Sequence, residues 1–516
     1  MPNVAELETA AAEVCQRWSD RDGAGLAAAV IIDDAAVWSA GFGSAALPQG
    51  PPMDVDTICY VGSVAKQFTA AAVILAALDG ELQLTDRARH WVPELPSYCE
   101  NISLDDLLHH TSGLRDYFGY RSLQGSFPDQ DYDPDALLAD LNSQRRLNCV
   151  PGQRFGYSNT NYVLLSVVAE RATGVPFAQF ARSRVFEPLG MNDSSFQTRT
   201  HPSGDRVARA YDRTADGTWT ENDPLLSVIG DGGMRSTVAD LIRWTTASMD
   251  GSLDPRLVQL LAERGRLATG HSLSYGRGIG HRVRGGRHCL QHGGGLGAWR
   301  AIVAWYPDDH VGVVALANAG DVDPLRIALE LTDPLLPGTK PHRARHAVPE
   351  RLLGLWIDDE QGIVLDIVGD DPHSAVMALW GNSIPLRGDG EGAAMADALG
   401  LRLILAEPGP NGHLLVDDNG DPWGKFRRAD RSGAADASGY AGRYECSEFA
   451  SAWNLVAEND HLRVEHLVDD TFAPVLPGVY TTSATTLRFT ADDADGPMRM
   501  TVDMARTTGF SFVASV

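Results

Sequence analysis

A chain of 516 residues exceeds one ordinary domain, so two or three are expected, and its 44% hydrophobic content is ample for a large core. A formal charge of −25 and a pI near 4.9 argue against nucleic acid or an anionic membrane as partner. The sequence has no uncharged apolar run long enough for a transmembrane helix, so no span is predicted.

Residues 1–20 carry Glu6, Glu8 and Glu13 without a basic start or an apolar stretch. They predict an amphipathic helix and not a signal peptide, which points to the cytoplasm. The six cysteines (15, 59, 99, 149, 289 and 446) are scattered without C-x-x-C spacing, so free thiols are expected in place of disulfides or a zinc site. Lysine occurs only at positions 66, 340 and 425 among 43 cationic residues. One of the three, Lys66, stands three residues after Ser63 at the mouth of a segment that stays apolar from Ala70 to Leu78. Apolar all round, that segment predicts a central, buried helix. Residues three apart share a helix face, so the Ser63 hydroxyl and the Lys66 amine fall side by side near the positive end of the helix dipole. Arginine could not serve there, because only lysine can give up its proton when desolvated. Ser63 is thereby a candidate nucleophile.

Farther on, Leu107 to Tyr117 reads L-L-H-H-T-S-G-L-R-D-Y. Adjacent histidines on a helix point different ways and no H-E-x-x-H accompanies them, so His109 and His110, even taken with His281, His288 and His292, do not predict a metal site. The loop from Pro151 leads into an apolar helix over 163–172 and offers Tyr157 and Asn159 as a Y-x-N pair. A tyrosine beside an ammonium has its phenolate favoured and can relay a proton from a serine to a leaving group. The run Gly276-Arg277-Gly278-Ile279-Gly280 mimics half a dinucleotide fingerprint but lacks the following acid, so a strand of small residues is expected. Next comes His292-Gly293-Gly294-Gly295, an H-x-G element on an expected strand edge. Glycines there let a substrate backbone approach and leave a backbone N–H open for an oxyanion. No G-x-S-x-G elbow of the α/β-hydrolase type stands out.

Past residue 335 the grammar changes. Pro334 to Ala347 is rich in proline and cations and reads as a linker. Short apolar runs then alternate with Asp/Gly/Asn turns, as barrels or sandwiches do. A repeat stands out, with Leu352-Leu353-Gly354-Leu355-Trp356 matched by Tyr440-Ala441-Gly442-Arg443-Tyr444. Two tandem antiparallel barrels divided near 429–438 explain it.

The order S-x-x-K, Y-x-N, H-x-G resembles the penicillin-recognising serine hydrolase superfamily, which contains class C β-lactamases, D,D-peptidases, family VIII esterases and D-aminopeptidases. Histidine in place of the lysine of K-T-G is similar to the D-aminopeptidase and esterase branches. The Leu107–Tyr117 string, Pro188-Leu189-Gly190-Met191 and Gly230-Asp231-Gly232-Gly233-Met234 also resemble family segments, so the likeness covers about residues 10 to 335. The resemblance implies a multi-domain α+β protein, with a β-lactamase/transpeptidase-like catalytic domain over 1–337 and antiparallel β-barrel domains over 338–430 and 431–516. It implies Ser63 as nucleophile, Lys66 and Tyr157 sharing its proton, and Asn159 and His292 orienting substrate. The backbone around Gly294 and Gly295 would line the substrate, with the N–H groups of Ser63 and Gly295 as oxyanion hole. The three-part layout looks like the D-aminopeptidase branch, in which a loop of the last barrel reaches the active site. A free substrate ammonium needs an acidic or carbonyl-lined end wall, for which Glu465, Asp469 and Asp470 in the turn-rich stretch around 468–477 are candidates. The expected partner is a small peptide or amide, with no cofactor, no metal and a possible homodimer. An esterase or β-lactamase-like hydrolase, and a non-catalytic binder of peptidoglycan fragments, remain the alternatives.

Overall fold

The computed structural model describes residues 9–515 except 10, 16–22, 128–131, 198–203, 225, 337–345, 370, 372, 380–381, 397–400, 407–411, 419–420, 430–435, 450–451, 466, 468–470, 483–484, 492–496 and 505. At its centre is a six-stranded antiparallel sheet in the order Ala35–Phe42, Leu26–Ile32, Val311–Ala317, Trp299–Tyr306, Arg287–Leu296, Gly280–Arg284. The first strand of the chain thus pairs with the last of this part, Leu26 opposite Ala317. Val311–Ala317 is buried at every position. Burial on both faces explains why it reads as a continuous apolar run and not as an alternating one. Helix Pro324–Thr332 packs on one face, and the core built around helix Ala65–Leu78 fills the other.

Helix Ala65–Leu78 is buried nearly all round, as its sequence requires. Ser63 precedes it on a single 3-10 turn, Gly62–Val64. The second site helix, Asn159–Thr173, starts four residues before its apolar run and ends on Gly174 in the left-handed conformation. It packs against Ala65–Leu78. The expected strand at Gly276 begins only at Gly280; the residues before it form a turn that packs against the Lys66 carbonyl. Such close approach demands small residues and needs no strand.

Beyond the catalytic fold come two antiparallel β units. Nine strands between Gly354 and Ala429 form a meander in which the last, Asp421–Ala429, pairs back onto the first, Gly354–Asp358. Its edges, Asn382–Pro385 and Arg387–Gly388, are adjacent in sequence, so the sheet is nearly closed. Eight strands from Gly442–Glu445 to Thr507–Ala514 make a closed barrel, sealed by Tyr444 opposite Ala514. The sequence repeat marks the same position in both. Each unit opens with a 3-10 turn, then a glycine, then a buried aromatic that donates to the carbonyl four residues back: Trp356 Nε1 to Leu352 O at 2.9 Å and Tyr444 OH to Tyr440 O at 3.0 Å. Tyr120 and Leu123, from the helix Tyr117–Leu123 of the first part, belong to the apolar core of the last barrel. No disulfide joins any of the six cysteines. No described helix is long and apolar enough to cross a membrane.

Candidate active site

Ser63 lies at the floor of a cleft of about 800 Å³. Lys66 is fully buried and has three acceptors: Ser63 Oγ at 3.0 Å, Asn159 Oδ1 at 2.8 Å and the Asp231 carbonyl at 2.7 Å. Three acceptors match the three protons of an ammonium, so the head group is satisfied while resting against the serine. Asn159 is fixed in turn. Its backbone N–H and its Nδ2 both donate to Asp116 Oδ2, at 2.8 and 2.9 Å, which turns its carbonyl oxygen toward Lys66. The other Asp116 oxygen caps the helix Tyr117–Leu123 by accepting from Phe118 N–H at 3.0 Å.

Tyr157 stands on the same group. Lys66 Nζ lies 4.9 Å from its ring centroid, within the range of a cation–ring contact. Behind it the buried His110 ring packs at 4.3 Å. Ser158 N–H and Asn161 Nδ2 both donate to His110 Nδ1, at 3.2 and 3.0 Å, which puts the imidazole proton on Nε2. Burial, followed by the charge of Lys66, holds this imidazole neutral.

The glycine run of strand Arg287–Leu296 abuts the serine turn backbone to backbone. Pairing to the edge strand Gly280–Arg284 stops at Gln291, so the residues after it are open on that side. A Cβ at Gly294 would collide with Val61 O and lie 3.0 Å from Ser63 N, and Gly62, at φ +54, brings its α-carbon up to Gly295 N. Only glycine permits both approaches. The outcome is that the backbones of Ser63 and Gly295 come close together, and both residues line the cleft. His292 lines the cleft, donates from Nδ1 to Gly293 O at 2.6 Å and accepts at Nε2 from Tyr275 OH at 3.0 Å. Burial first, and then Lys66, push its pKa down to about 3, so this position contributes a neutral ring where a lysine would bring charge.

Ser63, Lys66, Tyr157, Asn159, His292, Gly294 and Gly295 are therefore all brought together. Asp469 and Asp470 lie outside the described residues. Glu465 is exposed, accepts from Asn454 Nδ2 at 3.1 Å and does not line the cleft. Within the stretch expected to be turn-rich, the described residues Thr471–Leu476 form a strand. The described barrel residues that do line the cleft are Met504 and Arg506, at the turn between the last two strands. The Arg506 guanidinium lies 4.5 Å from the Tyr157 centroid. This turn is pinned by Asp116 N–H donating to Arg506 O at 3.3 Å and Thr507 Oγ1 donating to Asp116 O at 3.0 Å.

A Beta-lactamase family profile matches residues 10–332. The chain belongs to the beta-lactamase family. It is a serine hydrolase with that family's catalytic fold. Curated relatives include a D-aminopeptidase of Brucella anthropi, 27% identical over 74% of this chain and 72% of its own length. Another D-aminopeptidase, from Brucella melitensis, is 27% identical over 89% and 86%, a span that takes in the β units. Among solved structures, the octameric penicillin-binding protein homologue from Pyrococcus abyssi shares the fold, with a TM-score of 0.58 at 18% identity over 99% of this chain and all of that one.

Asp231 was legible only as part of a family string, yet it is the one buried carboxylate of the site with a bare oxygen. Its Oδ2 accepts from Tyr117 OH at 3.0 Å, while Oδ1 has no hydrogen-bond partner. Burial raises its pKa to about 6, against the opposing pull of Lys66. The fold favours its protonated form, so this group's contribution to stability is full below the unfolded carboxyl pKa and is lost as pH rises through about 6. Asp231→Asn is expected to shrink the loss of thermal stability between pH 4.5 and pH 8, read as two melting temperatures for each protein. An unchanged difference would place the titration elsewhere.

Proposed function

We propose that the protein is an aminopeptidase that releases N-terminal D-residues such as D-Ala from short peptides and amides. The observation that carries the reading is the Ser63–Lys66–Asn159 network beneath a cleft whose wall includes residues of the last barrel. Ser63 attacks the carbonyl as Lys66 and Tyr157 take its proton, and Tyr157 passes that proton to the leaving nitrogen. The Ser63 and Gly295 amides hold the oxyanion, and water then cleaves the acyl-enzyme. Asn159 and His292 orient the substrate. Relatives carrying the D-aminopeptidase name across the barrels support this choice over single-domain hydrolases. Cysteines held outside disulfides support a reducing, cytoplasmic setting.

The test is turnover of the para-nitroanilides of D-Ala, L-Ala and N-acetyl-D-Ala, with Ser63→Ala as control. The reading expects the free D-Ala anilide to be the best substrate and the activity to vanish in the variant. Brisk para-nitrophenyl ester hydrolysis with no anilide turnover would replace it by an esterase. Failure of Ser63 to react with a fluorophosphonate would leave only a binding protein.

A further inference from the structure

Two described cations stand at the cleft, Lys66 beneath Ser63 and Arg506 in its wall, and their circumstances differ. Lys66 is buried and saturated by three acceptors. Arg506 is exposed, and no described acidic residue pairs with it, in a chain of net charge −25. Its backbone is nevertheless fixed. The Arg506 carbonyl accepts from Asp116 N–H at 3.3 Å and from Asn148 Nδ2 at 3.0 Å, and Thr508 N–H donates to Asn148 Oδ1 at 3.0 Å. The two cleft carboxylates are buried: Asp116 is held by Asn159 and the helix cap, and Asp231 is held by Tyr117 through one oxygen while the other stays bare. Among the described lining residues the exposed charge is therefore positive, and it sits on Tyr157.

We propose that Arg506 binds the free carboxylate of the residue that leaves, so that the site prefers unblocked dipeptides to amidated ones. The inference rests on the aminopeptidase reading above. There Tyr157 hands a proton to the leaving nitrogen, so a guanidinium stacked on that ring faces the leaving group. One residue past the scissile bond spans at most about 3.6 Å, which keeps the carboxylate of a dipeptide close to the same ring. A planar guanidinium suits bidentate capture of a carboxylate. The last barrel thereby supplies a specificity residue, and a longer peptide carries its carboxylate past it.

The experiment compares kcat/KM for D-Ala-Gly and D-Ala-Gly-amide in the wild type, Arg506→Gln and Arg506→Lys, at low and high salt. The wild type is expected to favour the free acid about 10-fold or more, mainly through KM, with the preference shrinking as salt rises. Arg506→Gln brings the ratio of the two substrates close to one, and Arg506→Lys restores part of it. A wild-type ratio near one, or a ratio unmoved in Arg506→Gln, overturns the inference and leaves the aminopeptidase standing. The wild-type ratio decides the matter even if the variants fold poorly. Turnover of neither dipeptide, with Ser63 still labelled by a fluorophosphonate, overturns the aminopeptidase reading and this inference with it.

Discussion

Replacing Lys66 by arginine is expected to lower kcat/KM on the D-Ala anilide by at least about 10³-fold, the scale on which a serine feels the loss of its activating base. The charge is conserved, so a purely electrostatic or structural lysine would tolerate the change far better. Two features set the size of the effect. The amine must give up a proton for Ser63 to be activated, and a guanidinium holds its proton throughout the usable pH range. The pocket is also built for a compact head: Ser63 Oγ, Asn159 Oδ1 and the Asp231 carbonyl converge on one nitrogen at 2.7–3.0 Å. Fluorophosphonate labelling of Ser63 should slow in parallel with turnover, because it draws on the same activated hydroxyl. A Lys66→Arg enzyme within tenfold of wild type would sink the role given to this lysine. In that event Tyr157→Phe becomes the deciding variant, since only the phenol remains to take the proton.

What could be read from the sequence, and what could not, divides along the range of the interactions. Ser63 and Lys66 lie three residues apart at the start of a buried, mostly apolar helix, so local geometry alone puts hydroxyl beside amine. The glycines after His292 announced a close backbone approach, and the strand does press against the serine turn. The barrel repeat was legible because each copy carries its own local bond between a buried aromatic and the carbonyl four residues earlier. Asp116 and His110 were visible inside a family string, but their work was not. Asp116 fixes Asn159 and His110 backs Tyr157 through contacts that join distant parts of the chain, which no spacing rule records. Arg506 lies farther still from its target. Its segment reads as one more barrel hairpin, and only the docking of that barrel brings its turn to the cleft.

That docking supplies the second large effect. Glu448→Ala is expected to cost about 3–5 kcal/mol of stability, because it strands the Arg115 guanidinium in the interface. Arg115 NH1 donates to Glu448 Oε2 at 2.7 Å, with side chains 0% and 8% exposed, and the same oxygen accepts from Arg145 N–H at 2.9 Å. The guanidinium also lies 3.9 Å from the Phe510 centroid of the barrel, and Arg115 Nε donates to Thr508 O at 3.1 Å. Arg115 immediately precedes Asp116, whose carboxylate sets Asn159 on Lys66, so loss of the pair should reach the nucleophile and lower turnover as well. Urea unfolding followed alongside anilide hydrolysis measures both. A cost below 1 kcal/mol would mean that the barrel is held by the apolar cluster around Tyr120 and not by the ion pair. The double replacement Arg115→Met with Glu448→Leu separates charge from contact. Removing both ions avoids a stranded charge and should recover much of the stability, and activity that recovers with it would show that the site needs the barrel in place and not the charges that hold it there.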